Sequence, residues 1–136
     1  MAFELREHTA DVGVAASGDT LGETFAALAD GMAAAMCDRV PAAGERFDVH
    51  VVAESREALL FDYLDELIYE RDVRNVLPVE NDATVVRRDD EWRLDGSARG
   101  VPLESIDARE VKAVTYSEMR IEETTDGWEA YVVLDV

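Results

Sequence analysis

The apolar and polar positions of the chain follow two rhythms, one typical of strands and one typical of helices. Phe3–Glu7 and Val14–Ser17 each read as a short strand, and a turn at His8–Gly13 separates them. The second half of the chain is rich in runs with a period of two residues, and a hairpin loop at Thr124–Gly127 joins the last two runs. Further strands are expected at Phe47–Ala53, Leu77–Arg88, Glu91–Arg99, Val111–Glu123 and Trp128–Val136.

Two segments instead repeat their apolar residues every three or four positions, which predicts amphipathic helices. The first helix runs from Leu21 to about Cys37. Thr20 is its expected N-cap, and Glu23 stands at the capping-box position. The second helix follows Ser55 as N-cap and continues to about Asp72. These elements predict an α+β domain in which two amphipathic helices, each with one apolar face, pack on a largely antiparallel β-sheet.

Length and composition indicate a single globular domain over residues 1–136. Of the 136 residues 48% are hydrophobic, so one sizeable core can form although 32% are charged. Cys37 is the only cysteine, which excludes an intramolecular disulfide and a cysteine-rich zinc site. The N-terminal segment is too charged for a secretion signal, and no apolar run is long enough to span a membrane. We therefore expect a cytoplasmic protein.

The charge balance is strongly acidic and almost free of lysine. Asp and Glu total 31 against 13 basic residues, the net charge is −18, and Lys112 is the single lysine. This pattern is typical of halophilic proteins, because in 1 M salt the Debye length falls to about 3 Å and the repulsion between carboxylates is screened. The same field opposes tight binding to a phosphate backbone. We therefore expect any link to RNA to be indirect.

The residue combinations of common enzymes are missing from the sequence. Two histidines in ordinary contexts do not support a Ser/His/Asp triad, and no glycine-rich nucleotide loop occurs. His50 falls at a polar position of a strand and is expected to be a surface side chain. Cys37 lies near a helix end and is expected to be a small buried hydrophobe rather than a nucleophile.

Acidic residues near the two ends of the chain are the strongest candidates for chemistry. If the sheet brings the Asp11 turn against the last strand, its carboxylate meets the carboxylates of Asp135 and of the terminal residue Val136. Two such charges about 4 Å apart repel by roughly 4 kcal/mol at an effective dielectric constant of about 20, so they need a cation or a shared proton. Ca²⁺, Mg²⁺ and Mn²⁺ are suitable oxygen-binding ions. Alternatively, Asp11 only caps a turn.

Three stretches together resemble the archease family over essentially the whole chain. They are His8–Gly13, Leu59–Tyr69, and Val111–Tyr116 together with the terminal Leu134–Val136. The resemblance implies an accessory protein of tRNA splicing without catalytic activity of its own. Archeases promote guanylylation of the active-site histidine of GTP-dependent RNA ligases of the RtcB type, restore their multiple turnover and broaden their use of nucleotides.

The resemblance also implies a metal site and its surroundings. The family's metal ligands fall on Asp11, Asp135 and Val136, with Ca²⁺ as the expected ion and Mg²⁺ or Mn²⁺ as alternatives. His8 and Thr9 are expected to form the turn, support the ligands or contact the ligase rather than bind the metal. Lys112 is either a ligase contact or a tolerated surface lysine.

The sequence departs from the family pattern at two positions. Ser117 stands where the family commonly has His, and Val101 stands where it often has Glu. These departures put in doubt any role of that His or Glu in metal or ligase contact. A different function remains open, a chaperone-like modulator of other RNA-processing enzymes such as tRNA methyltransferases. A metal-dependent hydrolase is disfavoured, because no residue beside the expected ligands is an obvious base or nucleophile.

Overall fold

Seven strands and two longer helices make up the computed structural model, which describes residues 2–7 and 11–136. A single turn of 3₁₀-helix, Leu103–Ser105, follows the fifth strand. In chain order the elements are β1 Ala2–Glu7, β2 Asp11–Gly18, α1 Leu21–Met36, β3 Glu45–Ala53, α2 Arg56–Arg74, β4 Val76–Arg88, β5 Glu91–Pro102, β6 Ala113–Glu123 and β7 Trp128–Asp135.

The strands form two antiparallel sheets. One sheet has four strands in the order β1-β2-β7-β6, and the other has three in the order β3-β5-β4. The predicted α+β class, with two helices packed on antiparallel strands, is confirmed. The division into two sheets could not be predicted, because the period of two residues identifies strands without identifying their partners.

Both helices begin at the predicted N-caps. The Thr20 hydroxyl accepts a hydrogen bond from the Glu23 N–H at 3.1 Å, and the Ser55 hydroxyl accepts one from the Ala58 N–H at 3.0 Å. The Glu23 carboxylate in turn accepts from the Asp19 N–H at 3.3 Å, one residue before the position that a standard capping box uses. Asn75 ends α2 in the left-handed conformation, which Asn adopts more readily than most residues.

Helix α1 lies in the middle of the fold rather than on its surface. Of its 16 residues 12 are buried, whereas the sequence predicted one apolar face. Small residues allow this burial: Gly31 packs against Val14 of β2, and Gly22 packs against the Ala83 carbonyl of β4. The helix therefore joins the two sheets, and α2 keeps the predicted exposed side.

The largest differences between predicted and observed strand boundaries lie in β2 and β5. Asp11, Val12 and Gly13 belong to β2 rather than to the turn before it, because they continue the ladder with β7. Gly100–Pro102, which follow the predicted strand Glu91–Arg99, continue β5 and pair with β4. Neither described helix, in the ranges 2–7 and 11–136, is long and apolar enough to cross a membrane.

Candidate metal centre

Asp11 and Asp135 face each other at one end of the four-stranded sheet. They are direct partners in the antiparallel ladder between β2 and β7, and Ala113 of β6 opposes Asp135 on its other side. Direct partners in such a ladder project from the same face, with Cβ atoms about 4.5–5.5 Å apart. The predicted approach of these two residues is therefore confirmed as a backbone pairing.

The alternation of side chains sends both carboxylates away from the core. Val14 and Val132 oppose each other three positions further along the ladder, point toward α1 and are fully buried. Asp11 and Asp135 have the opposite phase and lie on what we call the outer face of the sheet. Asp11 is half-buried there, and Asp135 is exposed.

Tyr131 covers the outer face beside the two carboxylates. Its ring lies over Gly13, since a methyl group at position 13 would overlap the hydroxyl oxygen and the ring edge of Tyr131. Gly13 is two residues from Asp11 on the same face, so the phenol points along β2 toward the carboxylate pair. Arg120 of β6 places its guanidinium carbon 5.5 Å from the centre of the same ring. The glycine of the first motif is therefore needed for a close approach, not for a turn.

Lys112 lies at the same end of the sheet as the carboxylate pair. It directly precedes β6, is exposed, and its backbone N–H donates to the Asp135 carbonyl at 2.8 Å. That hydrogen bond extends the β6–β7 pairing by one residue. The single lysine of the chain is therefore held next to Asp135 and Val136 by the backbone.

The remaining predicted residues fall in three kinds of place. His8 and Thr9 lie outside the described residues. Val136 follows β7 directly and is 42% exposed. Ser117 is exposed in an irregular part of β6, and Val101 is fully buried in β5 of the other sheet. The departure at Val101 therefore lies in the core and not at the carboxylate pair.

Two residues considered for other chemistry take the expected structural roles. His50 is exposed on β3 and lies 2.5 Å from the Asp95 carboxylate on the neighbouring strand. Cys37 is buried, and its thiol donates to the Arg39 carbonyl at 3.0 Å. His50 lies on a strand of the three-stranded sheet and Cys37 directly follows α1, so neither belongs to the strands that carry the carboxylate pair.

The chemistry of the carboxylate pair suits a hard divalent cation. Two carboxylates on one face supply the oxygen ligands that Ca²⁺, Mg²⁺ and Mn²⁺ prefer, and main-chain oxygens of Val136 are adjacent in sequence. Within residues 2–7 and 11–136 no group of three or more His, Cys, Asp or Glu side chains is assembled for a metal. The residues that the structure describes thus offer few ligands, and a bound ion would keep several water molecules as ligands.

Comparison with known proteins identifies the family to which the chain belongs. The sequence profile of the Archease protein family matches residues 3–136. Protein archease of Pyrococcus furiosus is 34% identical over 139 residues, and the match covers 98% of each chain. The chain belongs to the archease family.

Solved structures of similar proteins agree with the family assignment. Protein 1598 of Methanobacterium thermoautotrophicum, solved in solution, is 35% identical, has a TM-score of 0.84, and is matched over 98% of each chain. A crystal structure of a Thermotoga maritima archease, described as a possible chaperone, has a TM-score of 0.63 over 98% of this chain and 96% of the other. At 22% identity the second likeness shows the fold alone. The two-sheet arrangement is thus common to this member of the family and to both solved structures.

Proposed function

We propose that this protein activates a GTP-dependent RNA ligase of the RtcB type during tRNA splicing, through a divalent metal ion held at the Asp11–Asp135 pair. The observation that carries the proposal is the register of β2 and β7, which sets the two carboxylates side by side on an exposed end of the sheet. Membership of the archease family supports the assignment of that end to the family's metal site. A helper protein needs its site accessible to a partner, and Asp135, Val136 and Lys112 are all exposed.

The proposed reaction is the partner's, and this chain contributes charge and position. In guanylylation a histidine nitrogen of the ligase attacks the α-phosphorus of GTP, an N–P bond forms, and pyrophosphate leaves as the P–O bond breaks. A bound divalent ion supplies neutralisation of phosphate charge. Asp11 and Asp135 provide the negative charge that holds such an ion. Lys112, whose backbone is bonded to Asp135, adds a positive charge at this end of a chain whose net charge is −18.

Guanylylation of the cognate ligase with labelled GTP in molar KCl tests the proposal. We expect the wild-type protein to restore multiple turnover, and the isosteric variants Asp11→Asn and Asp135→Asn to lose at least about tenfold of that stimulation. Asp48→Asn is the matched control, because Asp48 is exposed on β3 in the other sheet. Circular dichroism checks that each variant is folded, and calorimetry with Ca²⁺ and Mn²⁺ measures ion binding directly.

Each outcome has a distinct meaning. If the wild-type protein does not raise turnover, ligase activation is wrong. If both site variants lose ion binding but stimulate as well as wild type, activation stands and the metal is dispensable. Stimulation of a tRNA methyltransferase in the presence of a chelator, without effect on the ligase, would instead support the chaperone-like function.

A further inference from the structure

Strand β6, the last strand of the four-stranded sheet, departs from its partner β7 partway along its length. The register with β7 shifts between Thr115 and Arg120, so Tyr116–Met119 bulge out of the ladder. Glu118 within the bulge adopts φ of 57°, a left-handed conformation that is uncommon for residues other than glycine. Tyr116 is the first residue of this irregular stretch, and its side chain faces α2.

Tyr116 forms a stacked aromatic pair with Phe61 of α2. The ring centres are 4.3 Å apart and the planes differ by 7°. Tyr116 is nevertheless 54% exposed, whereas Phe61 is half-buried against the core. One face of the Tyr116 ring is therefore fixed by Phe61, and much of the remaining ring surface is open to solvent.

Four other aromatic rings among the described residues are each covered by an arginine of this chain. Guanidinium groups lie over Trp128, Phe47, Trp92 and Tyr131 at 4.6–5.5 Å from the ring centres. Within the part of the chain that the structure describes, no arginine covers Tyr116 in this way. The open ring is thus the same kind of platform that elsewhere in the molecule carries an arginine.

Carboxylates surround this platform and select for a cation. Asp62, adjacent to Phe61 on α2, is exposed. Burial is the larger cause that raises the pKa of the Tyr116 phenol, and the nearby charge of Asp62 is the second. Glu118 in the bulge is also exposed. Stacked nucleic-acid bases would bring phosphates into this acidic field, whereas a guanidinium group would be attracted by it.

We propose that the Tyr116–Phe61 pair is a docking site for an arginine side chain on the surface of a protein partner. The guanidinium group stacks on the open face of Tyr116 and pairs with Asp62. Identifying that partner as the RNA ligase rests on the function proposed above. Tyr116 follows Ala113, which opposes Asp135, by three residues, roughly 10 Å along a strand. Three residues is an odd number of strand positions, so Tyr116 lies on the face of β6 opposite to Ala113 and Asp135. A partner held at Tyr116 would therefore reach the candidate metal centre around β6, the last strand of this sheet.

Titrated binding of the ligase to variants of this protein tests the docking site. We expect Tyr116→Ala to raise the Kd, and the concentration for half-maximal stimulation, by at least about tenfold while the maximal stimulation and Ca²⁺ binding stay unchanged. Tyr116→Phe should bind within about threefold of wild type, because it keeps the ring. Tyr69→Ala is the matched control: Tyr69 is 57% exposed on the same helix as Phe61, and it stacks on no other ring of residues 2–7 and 11–136.

A second measurement separates this inference from the function on which it rests. In an NMR titration with N-acetyl-arginine amide at millimolar concentration, we expect the ring signals of Tyr116 and Phe61 to shift and those of Tyr69 to stay. If the ligase does not bind but these signals shift, the proposed partner is wrong and the docking site stands. If Tyr116→Ala binds the ligase like wild type, or the signals do not shift, the docking site is wrong. Loss of binding to an RNA oligonucleotide in Tyr116→Ala would show a base-stacking surface instead.

Discussion

Two bulges in this protein use the same backbone irregularity for opposite purposes. In β4 the register with β5 shifts between Val79 and Asp82, and in β6 the register with β7 shifts between Thr115 and Arg120. Each bulge contains a glutamate in the left-handed conformation, Glu80 with φ of 48° and Glu118 with φ of 57°.

The β4 bulge is tied to the core by buried polar groups. The Asp30 carboxylate of α1 accepts hydrogen bonds from the backbone N–H and the side-chain amide of Asn81, both at 2.9 Å, and Asn81 is buried. On the solvent side Arg46 donates to the Glu80 carbonyl at 2.8 Å, and Arg99 donates to the Glu80 carboxylate at 2.9 Å. The bulge is thereby held in one conformation.

Within the part of the chain that the structure describes, the side chains of the β6 bulge make no comparable hydrogen bonds. Among the described residues, the side chains of Tyr116–Met119 take part in no hydrogen bond or ion pair, and the stack of Tyr116 on Phe61 is their ring contact. The difference teaches that a left-handed residue in a strand does not by itself indicate function. The two bulges differ in what they do with their side chains. The β4 bulge buries a polar group that has partners, and the β6 bulge presents an aromatic ring to solvent.

The largest expected effect on stability comes from removing the side-chain hydrogen bond between Asn81 in the β4 bulge and Asp30. Asn81→Ala removes a hydrogen bond to a partly buried carboxylate, and hydrogen bonds to charged groups contribute about 1.5–3 kcal/mol. We expect the free energy of unfolding in urea to fall by about 2 kcal/mol. Thr84→Ala, at an exposed position on the same strand, should change it by less than about 0.5 kcal/mol. Equal effects of the two substitutions would show that the Asn81 contacts do not stabilise the fold.

A smaller effect is expected from the charge of Asp30. Burial is the main cause that raises the pKa of this carboxyl, although the hydrogen bonds from Asn81 lower it. The folded state therefore holds the proton to higher pH than the unfolded state, whose pKa is about 3.9. Stability from this group is present below the unfolded pKa and decreases as the pH rises through the folded pKa.

Asp30→Asn keeps the acceptor oxygen and removes the titration. We expect this variant to gain stability relative to wild type as the pH is raised from about 3.5 to 7, with the difference levelling off once Asp30 is ionised in both states. Urea unfolding in molar KCl across that range measures the difference. A difference that is constant with pH, or that shrinks as the pH rises, would contradict the raised pKa.

The sequence predicts the regular helices and strands and the two carboxylates of the candidate site. The prediction fails where the backbone departs from regular strand geometry. Asp11 and Asp135 could be found because strand ends, motif position and charge repulsion all point to them. Tyr131 was missed because it lies in an apolar run that reads as core, although Gly13 inside a strand is a known signal of close approach. Both bulges were missed because one extra residue in β4 and three in β6 leave the apolar count of each strand nearly unchanged.

The smallest expected effect compares the two left-handed glutamates directly. Glycine removes the steric cost of the left-handed conformation, so Glu118→Gly should raise the stability of the fold by about 0.5 kcal/mol, after the greater freedom of glycine in the unfolded chain is subtracted. Glu80→Gly gains the same relief but loses the hydrogen bond from Arg99, which lowers the pKa of Glu80 and so stabilises its ionised form. We therefore expect the midpoint of thermal unfolding to rise for Glu118→Gly and to stay level or fall for Glu80→Gly. A larger rise for Glu80→Gly would mean that the β4 ties do not stabilise the bulge.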